Sequence, residues 1–182
     1  MEQGTTPTIK GIFVMSHVKA LEAAKGKAAV SELEKRFGKP VSFKNSENVP
    51  IRDEVAIIEL ALDLLSDKEF TPQERHIEAG RLHFKNFSQT PLGKLVLPAF
   101  KNSFKLLIMN ANNIAGHVFQ GVRFFSEDVG EKTVRLILEN NDYPLEHFQG
   151  FFEAWLGYGG LKGEVVATDA GGNRYIYTVH WE

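Results

Sequence analysis

The sequence predicts an α+β fold: an N-terminal helical bundle followed by a four-stranded, mainly antiparallel sheet with one inserted helix, in the order ββαββ. Two patterns carry this expectation. Apolar residues recur at helical spacing up to about residue 112, and beyond about residue 117 they alternate with polar ones. Length is the third observation. A chain of 182 residues with 43% hydrophobic content can bury a full core. A single domain over 1–182 is therefore expected, with its helical part at about 9–112 and its sheet-containing part at about 113–182.

The helices follow in order. "IFVMSHVKALEAAKG" places Phe13, Val14, Val18 and Leu21 on one side, and Gly26 ends it. "KAAVSELEKRFGKP" repeats the pattern with Val30, Leu33 and Phe37 before Gly38 and Pro40. In "IRDEVAIIELALDLLSD", Val55, Ile58, Leu62 and Leu65 form a stripe that Ile57, Leu60, Ala61 and Leu64 widen. Only the Glu59/Asp63 edge wants water. Such a helix is central or lies in a subunit contact. Ile57 and Leu64 are accordingly the residues expected at a homodimer interface. "TPQERHIEAGRLHFKNFSQ" opens with a cap at Thr71, proline at the first helical position and Glu74 completing a capping box. Ile77, Gly80, Phe84 and Phe87 then share a side. A further apolar helix is expected from about Leu95 to Met109, with Pro98 in its first turn.

After the helices the period changes. Residues 117–127 and 132–139 read as strands around the turn "EDVGE", which puts His117 at the start of the first. "YPLEHFQGFFEAWLGYGG" is helical, and "KGEVVATD" and "RYIYTVHWE" form a hairpin across "AGGN".

Several functional classes find no support. A formal charge of −2 gives no pull toward nucleic acid or anionic membrane. The longest strongly apolar helical stretch, "VAIIELALDLL", carries two carboxylates and is too short to span a bilayer. "MEQGTTPTIK" lacks the basic flank and apolar core of a secretory signal. A cytoplasmic location is expected, and the absence of cysteine fits a reducing compartment.

No catalytic pattern emerges. None of the six histidines forms H-x-H or H-x-x-x-H. His76 and His83, seven apart on one helix, lie roughly 10 Å from each other, too far to share an ion unaided. There is no G-x-S-x-G and no phosphate-binding G-x-x-x-x-G-K-[ST]. The expectation is no metal, no cofactor and no enzyme. Binding has better support. "HFQGFFEAWLGY" carries Phe148, Phe151, Phe152, Trp155 and Tyr158, more aromatics than one stripe can bury, so some line a cleft or a partner surface. Charge is also uneven. From Glu47 to Glu78 carboxylates outnumber bases nine to three, whereas Ala79–Ser126 contains no Asp or Glu. The bases of that second segment either pair with the acidic one or hold an anion. Arg81, His83, His117 and Arg123 are the residues expected to converge at a cleft between helices and sheet.

Three stretches together resemble one superfamily. "IKGIFVMSHVKALEAAKGKAAVSELEKRFG" is similar to the opening of H-NOX domains, "EAGRLHFKNFSQ" to their later helix with glycine and phenylalanine at the spacing of Gly80 and Phe87, and "YPLEHFQGFFEAWLGYGG … GGNRYIYTVHWE" to their closing helix and hairpin. The same superfamily includes the 4-vinyl reductase domain and the TRAPP subunits. The chain most resembles a bacterial family within it that lacks the heme motifs. Heme-binding members carry an axial histidine inside the helix before the first long strand, and a Tyr-x-Ser-x-Arg motif that holds the propionates. Here "FKNSFKLLIMNANN" has no histidine, and the motif positions read Leu138-Glu139-Asn140-Asn141-Asp142, with the wrong charge for propionates. The resemblance implies a regulatory or scaffolding domain without enzymatic activity, binding a small apolar or anionic ligand or a protein partner, as a homodimer. The alternative is a heme-dependent gas sensor using His117 or His83, and a third is an enzyme acting on a tetrapyrrole-like substrate.

Overall fold

The computed structural model describes residues 6–99 and 103–182 and has the expected α+β architecture. Strand β1 (Thr8–Lys10) leads into α1 (Gly11–Lys25), and Gly26, at a φ of 81°, turns the chain into α2 (Lys27–Phe37). Strand β2 (Asn48–Pro50) precedes α3 (Ile51–Leu65). Helix α4 (Pro72–Gln89) starts at the predicted capping box: the Glu74 amide donates to Thr71 Oγ1 (3.3 Å) and the Thr71 amide to Glu74 Oε2 (3.0 Å). Then come α5 (Pro91–Ala99), α6 (Phe104–Met109) and α7 (Ala111–Val118).

Two expectations need correction here. The helix placed at Leu95–Met109 begins earlier, at Pro91, where the Thr90 hydroxyl accepts the Gly93 amide. Residues 100–102 of that expected helix lie outside the described residues, as does Lys101 of the basic segment. Helicity also runs further than the sequence reading allowed. Ala111, Ala115 and Val118 are buried at helical spacing, so His117 sits in the last turn of α7 and the chain becomes extended only at Phe119.

Strand β3 (Phe119–Gln120) joins β1 and β2 in a small sheet of order β2-β1-β3, which the sequence did not suggest. The main sheet is the predicted one. Its strands β4 (Arg123–Gly130), β5 (Thr133–Glu139), β6 (Gly163–Asp169) and β7 (Arg174–Trp181) are antiparallel throughout in the order β4-β5-β7-β6. The closing hairpin pairs Gly163 with Trp181 through Asp169 with Tyr175, across a turn where Gly171, Gly172 and Asn173 all have positive φ. Helix α8 (Leu145–Tyr158) is inserted between β5 and β6. It packs its Phe148, Phe152 and Trp155 against Tyr177 and the rest of the buried core.

Two contacts fix how the helices stand. Helices α4 and α8 cross so closely that a Cβ on Gly80 would lie 1.8 Å from the His147 carbonyl oxygen, and one on Gly150 would lie 2.0 Å from that of Ile77. Helix α3 packs against α1, α2 and α4 at once, which is why its apolar arc is wide. The expectation that Ile57 faces a partner subunit is therefore wrong: Ile57 is wholly buried within the chain, while Leu64 is half-buried against the same core. Among the described residues no helix is long and apolar enough to cross a membrane.

Candidate functional site

Where α1, α3, α4 and α8 meet, the core is polar. Glu54 of α3 faces inward with no exposed surface, although its neighbours on the same helix turn, Ile51, Ile57 and Ile58, are ordinary core residues. From α1, His17 places Nε2 2.7 Å from Glu54 Oε1. From α4, His83 places Nδ1 3.7 Å from the same oxygen, and Asn86, one turn on, bonds His17 Nδ1 at 2.9 Å. His147 of α8 completes the chain, its Nε2 2.9 Å from His83 Nδ1. Helical spacing brings His83 and Asn86 to one face of α4, and the Gly80/Gly150 crossing brings His147 within reach. Glu54 Oε2, His147 Nδ1 and the Tyr143 hydroxyl have no hydrogen-bond partner of normal geometry.

Electrostatics in this cluster are strongly perturbed. Burial alone would raise the Glu54 pKa, but the charges of His83 and His17 and the His17 hydrogen bond bring it down to about 2. Burial pushes His83 down to about 4 and His147 to about 3, against the partial opposing pull of the Glu54 carboxylate. Burial and the same carboxylate push the Tyr143 phenol well above its ordinary range. At neutral pH the cluster is a buried anion surrounded by imidazoles of which two are held neutral.

His83 also borders an apolar cavity of about 50 Å³, walled by residues of α4, α5, α7, α8 and the start of the sheet, including Phe87, Ile114, Phe148 and Trp155. Beyond Leu97 and Trp155, which wall both spaces, a groove of about 390 Å³ runs along Pro98, Phe104, Leu107, Tyr158 and Gly159. Trp155 is 5% exposed, and its indole N–H has no acceptor among the described residues.

The four residues expected to converge do not. Arg81 lies on the surface, paired with Glu78 and with Glu153 (2.7 Å); partial burial would lower its pKa, but these two carboxylates outweigh that and raise it. Arg123 is paired with Glu139 at 2.9 Å, and His117 is exposed. Only His83 reaches the interior. The acid-free segment thus meets its charge partners on neighbouring elements, and the anion site has no free arginine to build it. His17, Glu54, Asn86 and His147 escaped the sequence reading because each sits alone inside an otherwise apolar pattern. The one available signal was Glu54, a carboxylate on the inner face of the widest apolar arc in the chain.

A family model described as "Protein of unknown function (DUF2378)" matches residues 5–182. The chain belongs to this family. Among curated proteins nothing matches. The DUF2378 chain does share its fold with solved H-NOX structures. An oxygen-binding H-NOX domain related to soluble guanylate cyclases, in its oxygen complex, superposes with a TM-score of 0.68 at 15% identity over 95% of each chain. A mutant of the T. tengcongensis H-NOX gives 0.66 at 17% identity over 95% of this chain and 97% of the other. A Cs H-NOX mutant carrying 4-cyano-phenylalanine gives 0.66 at 17% identity over 95% and 96%.

That fold implies a heme, and the side chains here do not fit one. The cavity of about 50 Å³ is far below the roughly 300–1,000 Å³ of ordinary ligand pockets. Phe119, Phe124, Phe148, Phe151 and Trp155 occupy its walls, and His117, in the last turn of the helix that precedes the first long strand, faces solvent. At the positions matching the propionate motif, Asp142 is bonded to Arg52 (3.0 Å) and Glu139 to Arg123. These acids would repel propionates.

Proposed function

We propose that this chain is a regulatory or scaffolding domain that binds a small, mainly apolar ligand and performs no catalysis. The observation that carries this reading is Trp155. It walls both the groove and the inner cavity, it is nearly buried, and its indole N–H lacks an acceptor among the described residues. A buried donor left unpaired costs about 1–3 kcal/mol, which an acceptor atom on a ligand would recover. Among the described residues the groove supplies apolar contact from Leu97, Phe104 and Leu107, with the Tyr158 phenol as its only side-chain polar group besides that indole. Those residues offer no carboxylate, imidazole or amine with which to move a proton, hence the non-enzymatic reading.

The probe ANS tests it. It should bind saturably at one site and quench Trp155, and Tyr158→Glu at the rim should weaken binding about tenfold, the equivalent of 1.4 kcal/mol. Binding that is unsaturable, or indifferent to Tyr158→Glu, would show that the groove takes no ligand.

A heme-dependent gas sensor is the reading the fold likeness favours. Hemin titration separates the two. On the present packing no Soret band should develop beyond that of free hemin; a band that grows stoichiometrically and is lost in His83→Ala or His117→Ala would establish the heme reading instead.

A further inference from the structure

We propose that His17, Glu54 and His83 form a binding site for a divalent transition metal ion of the zinc or iron(II) kind. This goes beyond the apolar-ligand reading and does not depend on it.

The geometry comes first. One ligand atom from each residue lies within 4.8 Å of the other two, and the three come from three different helices, α1, α3 and α4. An ion held at roughly 2.0–2.2 Å from each nitrogen and oxygen needs its ligands about 3–3.5 Å apart. The His17–Glu54 separation of 2.7 Å and the His83–Glu54 separation of 3.7 Å bracket that range. The third separation, His17 to His83, falls within the same 4.8 Å limit, so the three side chains would draw in around the ion by rotation about their side-chain bonds.

Charge is the second argument. As oriented, the Asn86 amide donates to His17 Nδ1, so the His17 proton is on Nε2 and is donated to Glu54. Of His83 Nδ1 and His147 Nε2, only one carries the proton between them. With the proton so placed, Glu54 has all of its surface withdrawn from water and its Oε2 without a hydrogen-bond partner of normal geometry. Buried charges are ordinarily paired or bound to metal. A dication answers this directly.

The surroundings match what an ion needs beyond its ligands. Rotating the Asn86 amide presents its oxygen to His17 Nδ1, which moves the imidazole proton there and frees Nε2 for the metal. Metal-bound histidines typically show such an outer hydrogen bond. His147 would surrender its bond to His83 and become the nearest further nitrogen, and the Tyr143 hydroxyl, also unpartnered, could serve Glu54 Oε2 or a bound water. Two imidazoles and one carboxylate suit zinc, iron(II), cobalt(II) or nickel(II), and are too nitrogen-rich for calcium or magnesium.

The test uses the whole chain, stripped of metal by chelator and titrated with Co²⁺. One equivalent should bind with visible d–d absorption, and Glu54→Gln, folded by circular dichroism, should weaken it at least tenfold. Trp155→Phe should leave the cobalt spectrum unchanged, which keeps this result apart from the ANS one. Because Glu54→Gln alters a wholly buried side chain, a second readout needs no variant: zinc K-edge absorption of the loaded protein should show imidazole scattering from two histidines. No bound cobalt, a spectrum identical in a folded Glu54→Gln variant, or a zinc shell without imidazoles would each overturn the proposal and leave the cluster a purely structural hydrogen-bond network.

Discussion

Gly80→Ala should unfold this protein, or destabilise it by at least about 3 kcal/mol, the upper end for overpacked cores. The new Cβ would lie 1.8 Å from the His147 carbonyl oxygen, 2.8 Å from its carbon and 3.0 Å from the Phe151 nitrogen. All three are backbone atoms, so no rotamer change can relieve the clash. Helices α4 and α8 would have to separate, and with them the rings that join the two, Phe84 stacked on Trp155 and edge-to-face with Phe151. Gly150→Ala should behave alike, because it meets the Ile77 carbonyl oxygen from the other side. Gly157→Ala is the control. That glycine is exposed near the end of the same α8, with no heavy atom within 4 Å of its would-be Cβ. Its replacement should be neutral or stabilise by about 0.5–1 kcal/mol through the entropy of the unfolded chain. Urea unfolding followed by circular dichroism reads all three. A Gly80→Ala midpoint within error of the wild type would mean that the helices do not approach as described.

The fold was largely legible because most elements announce themselves locally. The capping box at Thr71 and the "AGGN" turn each depend on residues adjacent in sequence, and each is where it was expected. The small sheet was not legible, for a physical reason. Strands of two or three residues, Thr8–Lys10, Asn48–Pro50 and Phe119–Gln120, are too short to show alternation and exist only because distant segments pair. The end of α7 failed differently: "HVFQGVRF" alternates well enough to read as a strand, yet Val118 packs with Ala111 and Ala115 on a helical face. For α3, the sequence left central burial and a subunit contact open, and packing against three helices accounts for the burial of Ile57.

The site was much less legible. Arg81 and Arg123 drew notice through the absence of local carboxylates, but their partners Glu153 and Glu139 lie later in the chain. Charge economy within one segment therefore said little about charge economy in space. Conversely, His17 and Glu54 are separated by 37 residues and His83 and His147 by 64, and no local spacing rule can join them. Among the predicted site residues His83 alone lies at the centre. What a sequence could disclose is the oddity of each: a histidine or glutamate on the buried face of an apolar helix demands a partner, without saying which.

Those buried partners should make the protein acid-labile well above the usual carboxylate range. Stability is expected to fall as pH drops below about 6.5, by about 5 kcal/mol over the next two units. The sign follows from proton counts. An unfolded histidine takes up a proton near pH 6.5, whereas burial holds native His83 neutral down to about 4 and His147 down to about 3. Between those limits the unfolded state binds more protons, so stability rises with pH and falls with acid. Near pH 5 two protons are at stake, which corresponds to a slope of up to about 2–3 kcal/mol per pH unit. Over two units that removes about 5 kcal/mol, the whole stability of a domain at the low end of the usual range of about 5–15 kcal/mol. Glu54 acts in the same direction lower down: its native pKa of about 2 lies below the ordinary carboxylate value of 4.5, so its contribution is present above 4.5 and lost as pH falls toward 2. His147→Gln removes one of the two histidine protons while keeping a polar side chain against His83. It should roughly halve the slope measured from urea unfolding free energies between pH 7 and 4.5. A wild-type slope near zero over that interval, or an unchanged slope in a folded His147→Gln variant, would show that these imidazoles are not held neutral by burial.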